Sequence, residues 1–224
     1  MQRPTINDPY LKVQLCTYSS SPDPIIAIWM HQHVCVDPEV NWTGVKKPSR
    51  AGMVNAILIE LGRGHWDILT AGFAQIHFEG YPHPAAMQWR THKGMGTLTQ
   101  SLRYTGMQFM EDDVPLTQLF YTANKPSNHE EYFRDSLNAY RDLVYIGVKM
   151  EVARDLLPTC YRQGWSCAGN LKDWLHLLDR RLLADTQKEA NHAAWAALDA
   201  LSVWCPEIMN WYVEKRAGKN RLSP

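Results

Sequence analysis

The sequence predicts an α+β fold, a small sheet packed with many helices, and three observations lead there. Residues 71–79 (AGFAQIHFE) alternate as a strand does, with Ile76 and Phe78 on one face and Phe73 on the other. From about residue 130 onward, apolar side chains recur at helical spacing. The 224 residues are 45% hydrophobic and 21% charged, the composition of a chain that folds around a core. No internal repeat is present, and the length suits a single domain over residues 1–224.

Each element has its own reason. Residues 37–50 (DPEVNWTGVKKPSR) are rich in turn formers and read as a surface loop. Ser49 can cap the helix that follows, where Met53, Ile57 and Leu61 share a stripe with Val54 and Leu58 beside it, until Gly62 and Gly64 end it. After the 71–79 strand, Pro82 and Pro84 suit a first helical turn, so residues 83–93 are expected as a short helix. Gly94 and Gly96 break it, and residues 97–105 are expected as loop or extended chain.

The second half reads as helical. Tyr132, Phe133, Leu137, Tyr140 and Val144 place a helix over 130–146, and another over 149–157 must stop before Pro158. Asn170 is a suitable N-cap for a helix running to about Leu183. An amphipathic helix is expected over 186–204, and Pro206 opens a last one that runs into a basic tail.

Composition removes whole classes of function. The 23 Lys and Arg balance the 23 Asp and Glu, so there is no basic footprint for a nucleic-acid polymer. No apolar run approaches the ~20 residues that span a bilayer, so no membrane partner is expected. The start of the chain, with Pro4, Asp8 and Pro9, does not read as a secretory signal. Cys16, Cys35, Cys160, Cys167 and Cys205 form no C-x-x-C pair and fit buried or half-buried free thiols in a reducing compartment, here the cytoplasm. Phosphate-loop, dinucleotide, nucleophile-elbow and zincin motifs are absent. His31-x-His33 could set two imidazoles on one strand face, but no third ligand is nominated, so no metal is expected.

Two patterns carry chemistry. Gln88-Trp89-Arg90-Thr91-His92-Lys93 is followed, after seven residues, by Ser101-Leu102-Arg103-Tyr104. Donors at Gln88, Arg90, His92 and Lys93, then glycines, then a hydroxyl and a guanidinium suit an anionic planar ligand. A solvated basic face with Ser101 in a turn would read the same way. Trp174, Leu177, Leu178 and Arg181 lie at i, i+3, i+4 and i+7, which puts a guanidinium on an apolar stripe. A charge there needs a partner, either Asp185 four residues on or a ligand. Arg154, among Val152, Ala153, Leu156 and Leu157, poses the same question.

Thr91-His92-Lys93, seven residues, then Ser101 stands in the frame R-H-R, seven residues, S, and here the chain resembles the flavin-dependent thymidylate synthases. Gly64-His65 upstream, Gln88-Trp89 and Ser101-x-Arg103-Tyr104 extend the likeness. Glu151-Val152-Ala153-Arg154 through Leu157-Pro158 resembles the family's E-V-A-R-x-x-L-P, and Asn170, Arg181, Gln187 and Glu189 fall at family spacing, so the similarity covers residues 31–204. Thr91 and Lys93 stand where the family has arginines, Thr99 where it has a glutamate and Asp185 where it has a histidine. Lysine lacks arginine's planar fork. Arg90 lies one residue early, about 100° around a helix, and replaces Thr91 only if the backbone shifts.

The resemblance implies FAD held by His65, His92, Lys93, Asn170, Lys172 and His176. It implies a pyrimidine nucleotide held by Gln88, Ser101, Arg103, Arg154 and Arg181, with Arg103 and Arg154 toward phosphate and Arg181 toward the base. Ser101 and Arg181 would be the catalytic pair, Ser101 orienting and polarising without acting as a nucleophile. The reaction implied moves a one-carbon unit from methylenetetrahydrofolate to C5 of dUMP, with FAD supplying a hydride and NADPH regenerating it. Family sites form between subunits of a homotetramer, so these residues need not meet within one chain. Three other readings stay open: hydroxymethylation of dUMP or dCMP on the same scaffold, with Thr99 and Asp185 altering recognition; a non-catalytic nucleotide-binding relative; and a metal-dependent hydrolase built on the histidines.

Overall fold

The computed structural model describes residues 3–18, 23–33, 46, 48–123 and 129–219. Most of the loop expected at 37–50, Cys35 and the chain past 219 lie outside the described residues. Strands β1 (Lys12–Tyr18), β2 (Phe73–Pro82), β3 (Gly96–Thr99) and β4 (Arg162–Asn170) form one antiparallel sheet in the order β1-β2-β4-β3. Ala74, Ile76 and Phe78 alternate inward on β2 and are fully buried, while Phe73 faces out. Ile76 is opposite Cys167 and Phe78 opposite Trp165, so β4 turns the same face inward; Phe78 stacks on Trp165 with ring centroids 4.9 Å apart.

Helices α1 (Pro24–His33), α2 (Arg50–Gly62) and α3 (His83–Arg90) cover that face from the first half of the chain. Ser49 caps α2 by accepting the Gly52 amide at 3.2 Å, and Met53, Ile57 and Leu61 are its buried stripe. Four shorter or peripheral helices follow: α4 (Leu102–Thr105), α5 (Leu116–Leu119), α6 (His129–Tyr145) and α7 (Met150–Ala153). They enclose a smaller apolar cluster of Leu102, Phe109, Phe120, Phe133, Leu137 and Tyr140. The main core is completed by α8 (Leu171–Arg181), α9 (Lys188–Trp204) and α10 (Pro206–Lys215). Ala190, Ala193, Ala194 and Ala197 are fully buried on α9, and their small size lets that helix lie close to the sheet. No described helix is long and apolar enough to cross a membrane.

Four expectations need correction. The second half is not uniformly helical: β4 runs through it, hidden because its outward residues Gly164, Ser166 and Ala168 are small and give little polar-to-apolar contrast. Residues 97–105 divide into β3 and the single helical turn α4. The helix expected at 149–157 is only α7 followed by a 3-10 turn, Arg154–Leu156, because Leu157 is held extended before Pro158. His31 and His33 sit on α1, where i and i+2 point about 200° apart, so they share no face. Strand β1 and helix α1 add two elements to those expected from the sequence.

Where β2 bulges between Phe78 and Tyr81, one buried ion pair gathers four segments. Arg162 of β4 donates to Asp8 Oδ2 (2.6 Å), the Gly80 carbonyl (2.5 Å) and the Thr117 carbonyl (2.8 Å). Its guanidinium lies 4.9 Å from the Tyr10 ring centroid and 5.4 Å from that of Tyr121. Gly80 has φ +82°, and a Cβ there would fall 2.0 Å from the Tyr10 carbonyl oxygen, so the bulge admits only glycine. Both charged side chains are nearly fully buried. Asp8→Ala leaves Arg162 uncompensated and should cost about 3–5 kcal/mol. Urea unfolding at neutral pH measures this, and a loss of under about 1 kcal/mol would show the pair to be dispensable.

Candidate active site

Arg181 ends α8 on the stripe of Trp174, Leu177 and Leu178, half-buried as its spacing predicts. Its partner is not Asp185, which is exposed; among the described residues no carboxylate pairs with Arg181. Instead the guanidinium donates to four neutral acceptors at the end of α3. Nε reaches His92 Nε2 (3.1 Å) and Nη1 reaches Gln88 Oε1 (3.3 Å). Nη2 donates to the Gln88 carbonyl and to Thr91 Oγ1 (3.2 Å). Carbonyls at a helix C-terminus carry the negative end of its dipole, and here the Gln88 carbonyl, with three neutral side-chain acceptors, takes the place of a carboxylate. Burial first, and then Arg180, lower the pKa of Arg181, as expected for a cation whose surroundings bring no negative charge.

These contacts decide the state of His92. A nitrogen that accepts the Arg181 N–H cannot carry a proton, so the imidazole proton sits on Nδ1. Burial first, then Arg181, His176 and Arg180, push the His92 pKa down to about 4, and the ring is neutral at pH 7. His176 meets it edge-on at 6.0 Å. Thr91, where the family signature has arginine, turns its hydroxyl back onto the Gln88 carbonyl (2.8 Å) and helps close α3.

Asn170, Lys172 and His176 belong to α8 and its cap, and His92 and Lys93 to the turn after α3 that packs against that helix. The turn after α3 packs there so closely that a Cβ on Gly94 would lie 2.4 Å from Asp173 Oδ1. Asn170 caps α8 by accepting the Asp173 amide at 3.0 Å, as read from sequence. Lys172 pairs with Asp67 at 2.7 Å, which draws in the 3-10 turn beside His65; His65 itself meets Glu60 at 2.5 Å. Asp173, whose pKa burial raises, was not foreseen here because an acid in a first helical turn is commonplace.

A second group lies at the contact of α4 and α7. Ser101 occupies the N-cap position of α4, but its hydroxyl makes no capping bond and stays available. Arg103 pairs with Glu151 at 2.8 Å, and Arg154 is exposed just beyond α7. Gln100 sets this loop by clamping Gly164 twice: its amide donates to the Gly164 carbonyl (2.8 Å), and its Oε1 takes the Gly164 amide (3.0 Å). Among the described residues no hydrogen bond or ion pair joins this group to Gln88 or Arg181. A cleft of about 410 Å³ over the outer sheet face is lined by His77, Thr99, Gln100, Trp165 and Ser166, and a neighbouring one of about 420 Å³ reaches Tyr10 and Arg162; neither includes Arg181. The chain therefore presents two partial sites: one donor-rich around Arg181 and α8, the other around Ser101. No group of three metal-ligating side chains occurs among the described residues.

Residues 14–207 match the family described as thymidylate synthase complementing protein. Among curated proteins the chain is similar to flavin-dependent thymidylate synthase of Halobacterium salinarum, 25% identical over 196 residues, covering 76% of this chain and 79% of the relative. It is also similar to that of Haloarcula marismortui, 26% identical over 190 residues (73% and 77%), and of Thermococcus onnurineus, 27% identical over 147 residues (63% and 59%).

The depressed His92 pKa makes a pH prediction. Between its ordinary 6.5 and the folded value of about 4, the unfolded chain binds the proton and the folded chain does not. His92 therefore makes stability fall as pH drops through this window, with no effect above it. His92→Gln keeps a neutral group that can accept from Arg181 and cannot titrate. Its melting temperature should fall less steeply than the parent's from pH 6.5 to 4; parallel curves would refute the assignment.

Proposed function

The chain belongs to the flavin-dependent thymidylate synthase family, and on that premise we propose that it transfers a one-carbon unit from methylenetetrahydrofolate to C5 of dUMP, with FAD as cofactor and NADPH as reductant. The observation that carries the reading is the Arg181 guanidinium, half-buried, charged and held only by neutral acceptors. Such a group keeps its charge for an incoming ligand.

The Arg181 guanidinium is a pure donor, which suits the carbonyl oxygens of a uracil ring. Cytosine offers an amino group to that donor, and Asp185, the residue that could have favoured it, is exposed and not paired with Arg181. Ser101 would supply an oriented hydroxyl, and Arg103 and Arg154 would take the phosphate, Arg103 after exchanging Glu151 for it. With no hydrogen bond or ion pair joining the two groups among the described residues, the reading places Ser101 of one copy beside Arg181 of another, in a homotetramer.

The residues around α8 fit an anionic flavin. The N-terminus of an 11-residue helix, Lys93 and Lys172 offer positive potential to a diphosphate, and the rings of His65 and His176 offer N–H donors. Lys172 and His65 would exchange Asp67 and Glu60 for it. Neutral His92 would donate from Nδ1–H to a neutral acceptor. When bound, the flavin supplies hydride chemistry; the protein's part is to hold, orient and polarise. Lys93 in place of arginine gives a point charge without a fork, so cofactor contact there is less directional.

The protein should take up FAD and bleach with NADPH under anaerobic conditions. With dUMP and methylenetetrahydrofolate it should yield a nucleotide heavier by a methyl group. A hydroxymethyl product would replace this reaction with its relative, and a colourless protein would point to a non-catalytic nucleotide binder. Arg181→Ala should weaken dUMP binding by roughly 10- to 100-fold, the worth of charge-assisted hydrogen bonds. Unchanged affinity by calorimetry would remove Arg181 from the nucleotide site.

A further inference from the structure

Gln187 stands at the N-cap of α9, yet its side chain makes no capping bond. Its Oε1 instead accepts from Gln88 Nε2 at 2.7 Å. Four residues on, the nearly buried Asn191 donates its amide to the Gln187 carbonyl (2.9 Å) and its Nδ2 to the carbonyls of Arg181 (2.7 Å) and Leu183 (3.2 Å). The contacts close a ring. It runs from the Arg181 guanidinium to Gln88, from Gln88 to Gln187, along one turn of α9 to Asn191, and back to the Arg181 backbone.

Donor and acceptor chemistry fixes the direction of every bond in that ring. A guanidinium only donates, so Gln88 must turn Oε1 toward Arg181 and its amide nitrogen away. That nitrogen then needs an acceptor, and Gln187 Oε1 is the one it has. Without it, the Gln88 carboxamide can rotate and present N–H groups to Arg181, donor against donor. We propose that Gln187 is a positioning residue that locks the Gln88 carboxamide and through it holds the Arg181 guanidinium in the geometry that meets the nucleotide. The nucleotide half of this statement rests on the reading of Arg181 given above; the ring of bonds does not.

Three variants of the full chain separate the roles. Gln187→Met keeps length and removes the acceptor, Gln187→Glu keeps an acceptor, and Gln187→Lys offers only donors. In nucleotide-free protein, the Arg181 Nε–H resonance, assigned by its loss in Arg181→Lys, reports the bond to His92. It should shift and broaden in Gln187→Met and Gln187→Lys and remain in Gln187→Glu. The dUMP affinity of Gln187→Met should fall roughly 5- to 10-fold, the worth of one neutral hydrogen bond. Gln187→Lys should fall further. An unmoved resonance in Gln187→Met, or equal loss of melting temperature in all three variants including Gln187→Glu, would overturn the proposal. If Arg181→Lys binds dUMP as the parent does, the nucleotide reading fails, and the resonance alone still decides whether Gln187 positions Arg181.

Discussion

The buried pair of Arg162 and Asp8 is the constraint on which the rest of the architecture hangs. It is placed where β2 loses register, and it converts that irregularity into a junction of the N-terminal segment, β2, β4 and the start of α5. Arg162 can be buried because its three donating nitrogens meet a carboxylate and two carbonyls and its face meets two aromatic rings. From this anchor β4 runs in register with β2 and β3 and delivers Gly164 to Gln100, then Asn170 to α8. The loop bearing Ser101 is thus tied near the start of β4, and the helix that ends in Arg181 follows directly from its end.

Around Arg181 the molecule solves a different electrostatic problem. A carboxylate beside the guanidinium would neutralise it; one helix-end carbonyl, an amide oxygen, a hydroxyl and an imidazole hold it without cancelling its charge. His92 is the counterpart, kept neutral because burial and nearby cations make a second positive charge unfavourable. Around the N-terminus of α8 the balance is closer, since Asp67, Glu60 and Asp173 all stand near the cations.

The departures from the family signature acquire structural meaning here. Thr91 closes α3 and touches Arg181, so that position supports the helix end in place of contributing a charge. Thr99 lines an open cleft on the outer sheet face. Asp185 does not pair with Arg181.

What the sequence by itself determined is local in cause: the capped helices at Ser49 and Asn170, the alternation of β2, the buried stripe that carries Arg181, and motif spacings that place the chain in its family. Those features depend on residues a few positions apart, so the pattern contains its own explanation. Tertiary structure alone decided the rest. Strand β4 exists because β2 and β3 pair with it, since its small outward residues announce nothing. Arg162 reads as a surface cation until Asp8, 154 positions away, is folded against it. The partners of Arg181 come from about 90 positions away, and the tautomer of His92 follows from that meeting. Charge compensation acts through space, and no spacing along the chain encodes it.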